Sequence, residues 1–443
     1  MRKRRQKIHI TTLGCEKNLV DSEAMAGYLN ADKFEIIDSP ENAEIVIINT
    51  CGFIQPAKEE SIDAILEATE LKKQGSIKKV LVAGCMSQRY KDEMIKELPD
   101  VDAFFGTEDY RNIASYLGQT HLDSIDKIYS RRNLTGPKHF AYLKISEGCD
   151  HECSFCAIPL MRGKHRSRSL EHILEEAKML ADAGARELIL IAQDSTYWGK
   201  DLNNGQTITD LVSALEKIEA IQWIRVMYLY PNTIPPDYFD FMKNSQKLLN
   251  YVDIPLQHAS GKMLKLMRRG GNKNSLEDLI VSIRNKVENI VIRTTFIVGH
   301  PGETEADFEE LLDFIGRIKF NRIGAFLYSD EDHTASFEQK EKVPDDIKSE
   351  RYNRLMEKQQ EISLELNSKL RGKIVDVIMD EFLEESATLI GRSYGDAPEI
   401  DNEVIIENCP DGKARIGEIF SIKITDVETY ELFGNIYNGV HGQ

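Results

Sequence analysis

Six runs rich in β-branched and apolar residues, at 141–146, 187–192, 223–229, 251–255, 290–298 and 323–328, recur through the middle of the chain. Between them lie stretches with apolar residues at helical spacing, such as Leu170-Glu171-His172-Ile173-Leu174-Glu175-Glu176-Ala177. This alternation predicts six βα units forming a partial parallel (β/α)6 barrel, with its site at the C-terminal ends of the strands. From Ile8 to about Leu122 a second alternation, through Ile8-His9-Ile10-Thr11-Thr12, Glu44-Ile45-Val46-Ile47-Ile48 and Lys79-Val80-Leu81-Val82-Ala83, predicts an open α/β sandwich. A charged helix at about 344–370 precedes short strands and turn signals, including Cys409-Pro410-Asp411-Gly412, that predict a small C-terminal β-barrel. The class is α/β, in three domains at 1–125, 135–370 and 371–443, a division that suits 443 residues.

No apolar run approaches the length that crosses a bilayer, and Met1-Arg2-Lys3-Arg4-Arg5-Gln6-Lys7 lacks the apolar stretch of a signal peptide. The expectation is a soluble cytoplasmic protein with no membrane partner, its basic N-terminal run a solvated tail. Cysteines 15, 51, 85, 149, 153, 156 and 409 are then reduced thiols, suited to metal binding or catalysis. A net charge of -17 argues against a generally nucleic-acid-binding surface.

The sharpest local signal is Gly148-Cys149-Asp150-His151-Glu152-Cys153-Ser154-Phe155-Cys156, a C-x3-C-x2-C placed directly after the first barrel strand. Three thiolates can ligate three irons of a 4Fe-4S cube and leave the fourth iron without a protein ligand. Zinc is the alternative occupant, but its closed structural sites take four ligands. His151, the obvious fourth, lies inside the loop two residues from Cys149 and Cys153, poor geometry for chelation. In the N-terminal domain Cys15, Cys51 and Cys85 are 36 and 34 residues apart. Spacing alone would leave them as small core hydrophobes. Their shared context, the C-terminal end of a strand, is where ligands collect in open parallel sheets.

The Cys149–Cys156 loop resembles that of the radical S-adenosylmethionine (SAM) superfamily. The resemblance implies that the methionyl amine and carboxylate of S-adenosyl-L-methionine chelate the open iron, and that an electron cleaves the C–S bond to a 5′-deoxyadenosyl radical. Phe155 matches the aromatic before the third cysteine, and it also packs the loop. Gln193-Asp194-Ser195 stands where this superfamily has a Gly-Gly-Glu-like segment, which makes Gln193 the cofactor-binding candidate. Arg293 has two readings, a contact to a carboxylate or ribose and a structural ion pair. Val298-Gly299-His300-Pro301-Gly302-Glu303-Thr304 is similar to the family's turn beside adenine, and to a plain strand-to-helix turn. The basic stretch Arg162-Gly163-Lys164-His165-Arg166-Ser167-Arg168 borders the site and is read as a contact for cofactor carboxylate or substrate, against a merely solvated run. Cys409 is read as structural.

Asn49-Thr50-Cys51 and Ala83-Gly84-Cys85-Met86 resemble the N-terminal domain of methylthiotransferases. By that resemblance Cys15, Cys51 and Cys85 hold an auxiliary 4Fe-4S cluster carrying the sulfur to be inserted, giving two 4Fe-4S clusters, and the C-terminal barrel is of TRAM type. Ile254-Pro255-Leu256-Gln257-His258-Ala259-Ser260 and the segment Gly391-Arg392-Ser393-Tyr394-Gly395-Asp396-Ala397-Pro398-Glu399-Ile400-Asp401 are similar to the RimO branch. That branch modifies the β-carbon of an aspartate of ribosomal protein S-twelve, whereas the competing MiaB branch modifies tRNA. The implied partners are the ribosomal protein and an electron donor such as flavodoxin or ferredoxin, with no tRNA expected. Residues 372–443 carry 15 acidic and 5 basic side chains, a net of -10 that would attract a basic protein and repel RNA. Asp396, Glu399, Asp401 and Glu403 are expected to form an exposed acidic rim.

Overall fold

The structure is a computed structural model that describes residues 4–29, 31–119, 128–409 and 415–437. The first three residues of the basic N-terminal run, the domain boundary at 125 and the Pro410-Asp411-Gly412 turn lie outside them.

β1 (Gln6–Thr12), β2 (Phe34–Ile36), β3 (Ile45–Thr50), β4 (Lys79–Gly84) and β5 (Ala103–Phe104) pair in parallel in the order β2-β1-β3-β4-β5. Helices α1 (Glu16–Tyr28), α2 (Gln55–Lys73), α3 (Cys85–Glu97) and α4 (Tyr110–Tyr116) connect and cover them. The apolar run of β3 is buried at every residue, as a central strand with both faces covered requires.

The barrel begins with β6 (Phe140–Lys144) and the short antiparallel pair β7 (Ser146–Glu147) and β8 (Arg166–Ser167), which brackets α5 (Ile158–Arg162). Then follow α6 (Leu170–Asp182), β9 (Glu187–Ile191), α7 (Ile208–Leu215), β10 (Trp223–Val226), α8 (Tyr238–Asn244) and β11 (Tyr251–Asp253). α9 (Gly261–Leu266), α10 (Lys273–Lys286), β12 (Val291–Val298), α11 (Glu305–Ile318), β13 (Arg322–Leu327) and α12 (Asp345–Ser368) complete it. β6-β9-β10 and β11-β12-β13 form two parallel triplets. Backbone bonds from Ile224 N to Lys247 O (2.8 Å) and from Leu229 N to Asp253 O (2.8 Å) join them. β14 (Ile374–Leu383), β15 (Thr388–Ser393), β16 (Glu403–Ile406), β17 (Ile419–Val427) and β18 (Glu431–Ile436) close into the C-terminal barrel in the order β14-β15-β16-β18-β17. Among the described residues no helix is long and apolar enough to cross a membrane.

Alternate residues of five of the six strands, β6, β9, β10, β11 and β12, face two different cores. Leu143, Leu188, Leu190, Val226, Val252 and Ile292 pack against the surrounding helices. Phe140, Ile189, Ile191, Trp223, Tyr251 and Val291 instead share a core with Ile8, Val20 and Ala24 of the first domain and Ile378 and Ala397 of the last. The two outer domains therefore fill the inner face of the open barrel.

Buried charge fastens the C-terminal barrel there. Glu187 accepts from Arg225 Nε at 2.8 Å and pairs with Arg392 at 2.9 Å. Arg322 donates to Asp396 at 2.9 Å, and Tyr251 to Asp401 at 2.7 Å. The expected acidic rim is thus corrected: Asp396 and Asp401 face inward onto arginines, while Glu399 and Glu403 are exposed. Arg225→Ala would leave Glu187 short of one cation and remove the stacking on Tyr251. Breaking such a buried pair costs about 3–5 kcal/mol, so the thermal midpoint of the apoprotein should fall by several degrees. Arg371→Ala, which removes an exposed pair with Asp426, should leave that midpoint unchanged in the same calorimetric scan.

Candidate active site

β6 and then β7 lead into Gly148, whose φ of 75° and tight surroundings admit no side chain: a Cβ there would lie 2.1 Å from the Lys164 carbonyl oxygen. The cysteine loop then folds on backbone bonds, Cys149 N to Gly163 O at 3.1 Å and Cys156 N to Cys153 O at 3.1 Å. Ser154 anchors it to two further segments, donating from N to Met267 O at 3.0 Å and accepting at O from Ser336 N at 2.8 Å. His151 is held elsewhere, with Nε2 2.8 Å from Asp194 Oδ2 and its ring stacked 3.7 Å from that of Tyr230. The histidine that would complete a zinc site is thus engaged, and three thiols remain, the donor set of a cube with one iron free of protein. Among the described residues no three His, Cys, Asp or Glu side chains could hold a single metal ion. Phe155 lies edge-on to His300, with ring centroids 6.4 Å apart.

Burial pushes the thiols of Cys149 and Cys156 up, to about 11 and about 12, with the neighbouring cysteines adding to the effect. A bound cation such as iron would favour their thiolates at neutral pH. A guanidinium stands beside them. Arg269 Nη1 donates to Cys153 Sγ at 3.6 Å, Nη2 donates to Pro255 O at 2.5 Å, and the group lies 4.1 Å from the Tyr230 ring centroid. Sequence reading missed Arg269, because an Arg268-Arg269-Gly270-Gly271 run carries no chemical signature of its own.

Gln193 follows β9 at the same end of the barrel, and both its amide nitrogen and its amide oxygen are buried without a hydrogen-bond partner. A buried amide left unpaired costs about 1–3 kcal/mol, so an arrangement of this kind points to a polar ligand that completes it. Arg293 is brought elsewhere: it donates to Asp253 at 3.0 Å and lies 3.5 Å from Asp401, so its geometry supports the structural ion pair. The basic stretch is split. Arg162 and Arg168 are turned inward onto carboxylates, and Lys164 and Arg166 are exposed. Cys409 packs on the core of the C-terminal barrel.

In the N-terminal domain Cys15 caps the start of α1, Cys51 follows β3 and Cys85 opens α3. Their loops touch. A Cβ at Gly14, whose φ is 88°, would lie 2.8 Å from Cys51 Sγ. Asn18 stitches the three loops together, donating to Leu13 O at 2.8 Å and Thr50 O at 3.1 Å while Oδ1 accepts from the Cys85 thiol at 3.7 Å. Burial pushes Cys85 up to about 12, with Arg162 pulling in the opposite direction. Cys85 also packs against Ala157 and Met161, so α5, the helix that follows Cys156, lies against the N-terminal cysteine set.

Three family models divide the chain: "Uncharacterized protein family UPF0004" over residues 7–106, "Radical SAM superfamily" over 143–315 and "TRAM domain" over 372–436. The solved structure of TsrM, a radical S-adenosylmethionine methyltransferase from Kitasatospora setae, shares the fold at a TM-score of 0.55 and 12% identity, covering 84% of this chain and 79% of its own. Among curated relatives, the "Ribosomal protein uS12 methylthiotransferase RimO" of Cytophaga hutchinsonii is 47% identical over 97% of this chain and 98% of its own. The protein of the same name from Aquifex aeolicus is 46% identical over 97% and 96%. Membership of the radical SAM superfamily brings a 4Fe-4S cluster and S-adenosylmethionine to the barrel. With full-length relatives at this identity, the chain belongs to the RimO family of radical SAM methylthiotransferases.

Proposed function

We propose that the chain transfers a methylthio group to the β-carbon of an aspartate in ribosomal protein uS12, the S-twelve protein of the small subunit. The observation that carries this reading is the pair of three-cysteine sets, one at the strand ends of each of the first two domains, in a chain that aligns along nearly its whole length with proteins of that name. Cys149, Cys153 and Cys156 are the ligands of the radical cluster, and Cys15, Cys51 and Cys85 those of a second 4Fe-4S cluster. With S-adenosylmethionine as both methyl donor and radical source, the two clusters would supply one electron at the first site and the transferred sulfur at the second.

The chain's own residues orient these groups. Gln193 is the polar contact for the methionyl end of S-adenosylmethionine, since its unpaired amide lies at the strand end where that group belongs. Arg269 donates toward the Cys153 sulfur and, with Tyr230 and His151, walls that side of the loop. The acidic C-terminal barrel is the element that meets basic protein, through exposed Glu381, Glu384, Glu385, Glu399 and Glu403. Its charge disfavours tRNA as the substrate. The electron donor is a small redox protein of the flavodoxin or ferredoxin kind.

Reconstituted anaerobically, the wild-type protein should hold about eight irons, four per cube. Changing Cys149, Cys153 and Cys156 to Ala should halve the iron and abolish reductive cleavage of S-adenosylmethionine. Changing Cys15, Cys51 and Cys85 should also halve it, yet spare cleavage and lose sulfur insertion. Gly14→Ala should act like the second set, because its Cβ displaces Cys51. Full cleavage in the first variant would refute the assignment.

Gln193→Ala should weaken S-adenosylmethionine binding about 5- to 100-fold, the loss of one or two hydrogen bonds, with iron content unchanged. Equilibrium titration checks this, and an unaltered affinity makes Gln193 a turn residue only. The substrate is decided by offering the reduced enzyme uS12 and unmodified tRNA together. Mass spectrometry should find the methylthio group on the protein, and product on tRNA alone would replace the reading with the tRNA-modifying one.

A further inference from the structure

Six residues beyond Cys156, the side chain of Arg162 turns away from the radical loop and into the seam between the first two domains, with 2% of it exposed. Nη1 donates to Asp21 Oδ2 at 2.8 Å and Glu147 Oε2 at 3.0 Å, and Nη2 donates to Asn18 Oδ1 at 2.5 Å. Lys144 completes the group, donating to Glu147 Oε2 at 2.7 Å and to Asp21. Two cations and two carboxylates therefore balance while all four side chains are buried. The Asn18 oxygen that accepts from Arg162 is the one that accepts from the Cys85 thiol. Asn18 also holds the loops that carry Cys15 and Cys51.

We infer that Arg162 is a positioning residue for the second cluster: through Asn18 it holds the loops that carry Cys15 and Cys51, and its charge raises the reduction potential of the cluster bound there. The inference rests on the second cluster proposed above. A cation near an iron-sulfur cluster favours the reduced, more negative state, and in a dry interior the effect is weakly screened. The counterpart at the radical loop is Arg269, so each thiol set has its own guanidinium and the two potentials can be set separately. Asp21 and Glu147 keep Arg162 in place, and removing it would leave them with Lys144 alone, one negative charge in excess beside Cys85.

The test is a redox titration followed by electron paramagnetic resonance on the full-length reconstituted enzyme and its Arg162→Gln and Arg162→Lys variants. The radical cluster is identified by its spectral change on adding S-adenosylmethionine. In Arg162→Gln the midpoint of the second cluster should move to more negative potential while that of the radical cluster stays, and Arg162→Lys should bring it back toward the wild-type value. Midpoints that do not move, or that move together, overturn the inference. If Arg162→Gln fails to retain the second cluster, the lysine variant decides: retention with a wild-type midpoint supports the role of the charge, and loss in both variants overturns it. Wild-type protein with only four irons and one signal would instead remove the second cluster itself, a failure distinct from that of Arg162.

Discussion

Six parallel strands leave a barrel that does not close, and its inner face has to be buried by something other than itself. That requirement organises the molecule. Phe140, Ile189, Trp223 and Tyr251 point inward from the strands, and the side chains that cover them come from β1 and α1 on one side and from the C-terminal barrel on the other. The outer domains are thus parts of one interior. The cysteines of the first domain are carried to the strand ends of the barrel as a result of this apolar contact, because the same helix that buries Val20 and Ala24 begins at Cys15.

Placing charged groups in such an interior is costly unless each is matched. Glu147 illustrates the balance: burial pushes its carboxyl up, but Lys144 and Arg162 prevail and hold it down at about 2. At the other end of the inner face Glu187 lies between Arg225 and Arg392, and Asp396 lies against Arg322. These ion pairs add direction to an apolar contact that has none of its own, and so fix the rotation of each outer domain on the barrel.

Much of this was legible in the sequence wherever a local pattern carried it. The six strand runs, the three-cysteine loop and the recurrence of a cysteine after each β-branched run of the first domain are all short-range signals, and the strands form where the pattern has them. Edge strands β2 and β5, three and two residues long, are too short for periodicity to register. Side-chain partnerships across the chain left no trace either. Arg162 reads as part of a basic run bordering the site, a contact for cofactor or substrate, because Asp21 is 141 residues away, and Arg269 goes unnoticed because Cys153 is 116 residues away. Asp396 and Asp401 look like solvent-facing acids until the arginines of β12 and β13 are opposite them. Gln193 is the intermediate case, its position signalled by the strand before it and its unpaired amide visible only in three dimensions.

The shared interior also bears on how the chain is built. During synthesis the first domain emerges well before the residues that complete its core, since Ile8 and Val20 share that core with Ile378 and Ala397, more than 350 positions later. Contacts of such sequence separation form late, because the entropy of closing the loop must be overcome first. Until then one apolar side of α1 faces water, and the nascent chain depends on the barrel, and then on the last 70 or so residues, to cover it. A truncation after the barrel would therefore leave the interior common to all three domains uncapped at one end.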